Sequence, residues 1–139
     1  MTAACAAPAL PSPQAWRTAA ARHADLFETL DPGARIALVS RSAPDPMLLW
    51  EAGEGGIDAR SAPFPGYSAS GADIALAADD VALAAIAAAV DGALFETLRA
   101  CIRAGHIVCY VLRRRCQLEE RGFEELLDAL GYAFMGACR

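Results

Sequence analysis

The residues best suited to chemistry gather in the last quarter of the chain: His106, Cys109, Arg113, Arg114, Arg115, Cys116 and Arg121. Three successive arginines end an apolar run, where α/β proteins place ligand-contacting loops. They also precede a predicted helix, whose dipole disfavours positive charge at its N-terminus. A bound phosphate or nucleotide, or an acidic partner, would relieve that conflict, so Arg113, Arg114, Arg115 and Arg121 are candidate binding residues. The competing reading has them fanned into solvent and paired with Glu119 and Glu120. Cys116 lies beside the arginines at a helix start and is the cysteine best placed to be held as a thiolate. It is the candidate nucleophile, as a sulfur or acyl carrier, with an inert packed thiol as the alternative. No histidine is available to it, because His106 lies at the other end of the intervening strand.

The remaining reactive types have plainer readings. Cys109 inside a strand and Cys101 on the apolar stripe of a helix read as small core residues. Asp79-Asp80 reads as a helix cap in preference to a metal or acid/base pair. His23 falls on the inner or boundary face of a helix and reads as structural. No CxxC pair or zinc-like Cys/His spacing occurs, nor any GxSxG, GxGxxG or HExxH pattern. Gly53-Glu54-Gly55-Gly56 lacks a following helix and reads as a turn. All 12 basic residues are arginine. The absence of lysine excludes a pyridoxal Schiff base and the lysine of a phosphate-binding loop. Neither a metal nor a cofactor is expected.

Composition sets the class. A chain of 139 residues, 55% hydrophobic and 21% charged, can build one core without staples. Much of the apolar share is alanine, so Leu, Ile, Val, Phe and Trp must supply most of the buried area. The Ala-rich, lysine-free composition fits a GC-rich bacterial genome. A net charge of -5 weighs against nucleic acid as a partner. Five cysteines in no paired pattern suggest free thiols in a reducing cytoplasm. The first thirty residues lack the layout of a secretory signal. The apolar stretch from Ala72 to Ala89 carries Asp79 and Asp80 at its middle, which disfavours membrane insertion.

These residues must be positioned by about seven elements. Residues 1–12 read as an Ala/Pro-rich disordered leader and 13–139 as one domain. Ser12-Pro13 opens a helix running to residue 30, with Trp16, Ala20, His23, Phe27 and Leu30 at helical spacing. A strand over 35–40 follows. Residues 47–62 form either a hairpin or a long loop. A strand ends at Asp79, which caps a helix with the stripe Leu83, Ile86, Val90, Leu94, Leu98 and Cys101, interrupted only by Gly92. Ile107 to Leu112 is continuously apolar and reads as a central strand buried on both faces. A final helix carries Phe123, Leu126, Leu127 and Leu130, and Tyr132 to Cys138 reads as a last strand. The pentapeptide Leu26-Phe27-Glu28-Thr29-Leu30 recurs at 94–98, each copy ahead of a strand. Convergence on helix-to-strand packing and ancient duplication both account for it.

The second half resembles the DsrE-like sulfur-relay proteins in its strand, acidic turn at Asp79-Asp80-Val81, helix, and strand leading to a cysteine and an Arg-Gly pair. The matching residues are Cys109 or Cys116, with Arg121-Gly122, over roughly 72–136. That resemblance implies a thiol-dependent relay. The fold expected is α/β or α+β: a two- or three-layer sandwich with a four- to five-stranded mostly parallel or mixed sheet and three helices. The leading functional expectation is a non-enzymatic accessory or regulatory domain that binds a protein partner, itself, or a small ligand. The sulfur or acyl carrier and the anion or nucleotide binder are the alternatives.

Overall fold

The computed structural model describes residues 9–132. The proposed leader and the last strand therefore fall largely outside the described residues. A single five-stranded mixed sheet has the order β3-β2-β1-β4-β5. Its strands are β1 (Arg35–Ser40), β2 (Met47–Gly53), β3 (Gly56–Ala62), β4 (Ile74–Ala78) and β5 (Ile107–Val111). Only β1 and β4 are parallel; the other neighbours run antiparallel. Residues 47–62 form the hairpin, closed in register from Met47 against Ala62 to Gly53 against Gly56.

Six helices, not three, are present among the described residues: α1 (Pro13–Arg22), α2 (Ala24–Phe27), α3 (Asp80–Ala89), α4 (Leu94–Ala104), α5 (Arg115–Glu120) and α6 (Glu124–Ala129). Each expected helix is broken once. Ser12 caps α1 through the Ala15 N–H, with Pro13 in the first turn, and the helix stops at His23. The long central helix breaks at Val90–Ala93. Gly92 does not sit inside a helix, as expected; it lies between two helices whose buried faces continue one stripe. The last helix breaks at Gly122, which adopts φ +82.

The strands alternate, and the two faces differ in side-chain size. Ile36, Leu38, Leu48, Trp50, Ile74, Leu76 and Ile107 face one way, into a core to which all six helices contribute. Trp16 and Trp50 stack there at 3.9 Å, with Phe27 against Trp50 edge-on at 5.0 Å. Ala37, Val39, Ala75 and Ala77 face the other way, with Met47 and Leu49. Among the described residues no helix covers that side; Phe64 and Tyr67, from the segment between β3 and β4, pack against it. The small side chains let this segment lie close, so the face is buried without a second helical layer.

β5 departs from expectation. Among the described residues it is an edge strand, and Val108, Tyr110 and Val111 are exposed. The strand buried along its whole length is its neighbour β4. A run of β-branched and aromatic residues favours extended backbone at a sheet edge as well as at its centre, so the run alone does not place the strand.

Candidate functional site

The direction of β5 moves the arginines. Because β5 is antiparallel to β4, its C-terminal end lies beside the start of β4. Arg113 to Arg115 therefore gather where β1 and β4 begin, not at the carboxyl end where ligand loops were expected. The anion they meet there belongs to the protein. Asp73, 1% exposed, accepts the Arg35 backbone N–H at 2.9 Å and the Arg113 Nε–H at 3.0 Å. Arg121 Nη1 lies 3.7 Å from the same carboxylate. Arg113 and Arg121 thus share Asp73, which answers part of their charge. Arg114 donates its backbone N–H to Gln117 Oε1, and Arg115 opens α5. A polar hollow of about 320 Å³ is lined by Arg113, Gln117 and Arg121, together with the acidic Asp31 and Glu120.

Gly122 is what brings Arg121 to that hollow. A Cβ at this glycine would lie 1.7 Å from the Thr29 carbonyl oxygen. The Thr29 hydroxyl donates to Gly122 O and the Asp31 N–H to Arg121 O, clamping the turn between α5 and α6 to the segment ahead of β1. The Arg-Gly pair is therefore a close backbone contact.

The thiols are differently placed. Cys116 is disulfide-bonded, contrary to the expectation of free thiols throughout. Cys101 and Cys109 are free, and both sit against the core. Burial pushes the Cys109 thiol up to about 11, partly offset by a hydrogen bond with Tyr132. Burial, and then the charge of Asp79, raise Cys101 as well. The chain order behind the sulfur-relay resemblance is present, but β5 runs antiparallel to β4 and Cys109 is held as a protonated thiol.

At the carboxyl end of β1 and β4, Asp79 caps α3 by accepting the Ala82 N–H at 2.9 Å, as its position predicts. It also meets His106 Nδ1 at 2.7 Å and Arg41 at 3.9 Å. The Ala82 N–H and then His106 hold the Asp79 carboxyl below the usual aspartate range. The pairing with His106 was hidden in the sequence because it depends on strand direction: Ala78 faces Ile107, so the next residues out are Asp79 and His106. His23 ends α1 and packs edge-on to Phe95 at 4.8 Å, a structural role. Among the described residues no group of three or more His, Cys, Asp or Glu side chains is placed to hold a metal. Among the described residues no helix is long and apolar enough to cross a membrane.

One cavity was not anticipated. A space of about 490 Å³ opens between α1–α2 and the β2–β3 hairpin. Ala20, Ala21, Ala24, Phe27, Leu30 and Ile57 line it, and the turn from Gly53 to Gly56 completes the lining. Its charged residues are Arg17, Glu28 and Glu54. Arg17 is paired with Asp58 at 3.2 Å. The signal was present in the sequence as small residues on α1 and glycines in the hairpin. It became a cavity only once the helix was packed across the hairpin.

No protein-family model matches the chain, and no curated protein matches it. Among solved structures it is similar to a protein described as a UbiJ-SCP2 ubiquinone synthesis protein. The two share 17% sequence identity at a TM-score of 0.39, over 84% of this chain and 74% of the other.

Proposed function

We propose that this chain is a non-enzymatic binding domain whose ligand places an apolar portion in the cavity between α1–α2 and the β2–β3 hairpin. The observation that carries this reading is the lining. Its volume falls within the ~300–1,000 Å³ range of small-molecule sites, and its walls are apolar with few charged groups. Alanines and glycines stand where larger side chains would close it. Transfer of apolar surface from water into such a space is favourable at roughly 25 cal/mol per Å². The role is that of an accessory or regulatory protein that presents or senses its ligand in the cytoplasm, alone or with a protein partner.

The test is saturable binding of a neutral environment-sensitive dye, N-phenyl-1-naphthylamine, by wild type and by Ala24→Leu. Ala24 is exposed and helical, so leucine there fills the cavity without disturbing the core. Binding to wild type that disappears in a variant of unchanged melting temperature supports the reading. Equal binding by both proteins refutes it.

A second reading places a small anion in the polar hollow beside Arg113 and Arg121. The two guanidiniums sharing one lining favour it. Asp73, Asp31 and Glu120 weigh against it. It predicts that phosphate raises the melting temperature and that Arg113→Glu abolishes the effect while the protein stays folded. A carrier role for Cys116 requires its disulfide to open first.

A further inference from the structure

The charges around the apolar cavity are lopsided. The one cation in the lining, Arg17, is paired with Asp58 at 3.2 Å, both side chains being exposed. Glu28, the C-cap of α2, and Glu54, in the hairpin turn, both line the cavity and have no cationic partner within ion-pair distance among the described residues. Both are exposed. A ligand seated among Ala20, Ala24, Phe27 and Ile57 would thus meet two exposed carboxylates that no described cation answers. The chain as a whole carries a net charge of -5, which adds a long-range attraction of the same sign.

We propose that the ligand of this cavity is an amphipathic cation: an apolar body with an amine, guanidinium or quaternary ammonium head that meets the carboxylates of Glu28 and Glu54 in the lining. The proposal rests on the cavity reading above and adds the charge of the head group. The carboxylates act by selection as much as by attraction. An alkyl carboxylate of the same length would place its anion against two others, and a neutral alcohol would gain nothing from them. Because both glutamates are solvated, the preference is modest: about three- to tenfold for cation over alcohol at low salt. It should shrink toward parity near 1 M salt, where the screening length falls to about 3 Å.

Three probes of equal chain length decide it: octyltrimethylammonium, octanol and octanoate. Each is titrated against the full chain by calorimetry, using wild type, the double variant Glu28→Gln/Glu54→Gln, and Ala24→Leu. The order ammonium, then alcohol, then carboxylate in wild type, lost in the glutamine variant and at high salt, supports the proposal. If all three bind equally and Ala24→Leu abolishes binding, the cavity reading stands and the cationic head is overturned. Preference for octanoate overturns it as well. If no probe binds wild type, the cavity reading fails and this inference with it.

Discussion

Replacing Gly122 by alanine should destabilise the protein far more than the same change at Gly105, although both glycines have the same backbone conformation. Gly122 has φ +82 and Gly105 φ +86, a region where an L-residue costs about 1–2 kcal/mol. At Gly105 that is the whole effect, because a new Cβ meets no atom within 4 Å. At Gly122 the Cβ would lie 1.7 Å from Thr29 O and 2.5 Å from Thr29 C, both backbone atoms that no rotamer change can move. The turn must lift away from the segment before β1. Doing so strains packing by about 1–3 kcal/mol. It also weakens the Thr29–Gly122 and Asp31–Arg121 hydrogen bonds, each worth about 1 kcal/mol. Gly122→Ala should therefore cost about 3–6 kcal/mol against about 1–2 for Gly105→Ala. For a chain of this size that corresponds to melting temperatures lower by more than about 10 °C and by roughly 5 °C. Urea unfolding of the two variants side by side measures the difference directly. Equal losses would show that the close approach of α5–α6 to Thr29 is not what holds this end of the molecule.

Asp73→Ala should lower stability by about 2–3 kcal/mol, because it orphans the Arg35 N–H while the partly exposed guanidiniums of Arg113 and Arg121 can turn to water. Asp73→Asn should lose less, and a double-mutant cycle with Arg113 in urea melts would show their coupling. Acid should weaken the fold through Glu51 and Asp79. Arg60 above all, with Arg35, depresses Glu51, and the Ala82 N–H with His106 depresses Asp79. Groups depressed in the folded state contribute stability above their ordinary values of 4.5 and 3.8, and that stability is lost as pH falls through their lower folded values. Urea midpoints should thus be level from pH 7 to about 5 and fall below about 4, with a shallower fall in Glu51→Gln. Trp16→Phe should be milder than Trp50→Phe by about 1–3 kcal/mol, as read from thermal unfolding. The Trp50 indole N–H donates to Trp16 O at 2.7 Å, whereas the buried Trp16 N–H has no acceptor among the described residues, so its removal relieves a cost.

Local chemistry was legible in the sequence wherever one residue and its near neighbours decide the outcome. Ser12-Pro13 opens α1, Asp79 caps α3, and Gly105 ends α4 in the left-handed conformation because these are interactions within one turn. The strand over 35–40, and the one expected over 107–112 and found at Ile107–Val111, followed from β-forming runs that each begin just after a glycine turn. What no local pattern contains is direction and neighbourhood. The run from Ile107 looks central by composition, yet it returns antiparallel along the outer side of β4. That single reversal carries Arg113 to Arg121 toward Asp73 and sets His106 against Asp79. The helix breaks at His23, Gly92 and Gly122 were hidden for a related reason: the apolar stripes continue across them, because the tertiary core, not the helix, keeps the period.

The sequence by itself determined an α/β chain able to bury one core, excluded lysine chemistry, and fixed the caps, turns and strand-forming segments, since these depend on residue type and spacing along the chain. The tertiary structure alone decided which face of the sheet the helices cover, that Asp73 answers Arg113 and Arg121, and that small residues of α1, α2 and the hairpin line an open cavity of about 490 Å³. Charge pairing and empty space are properties of groups far apart in the chain. They exist only when strand order and direction bring those groups together.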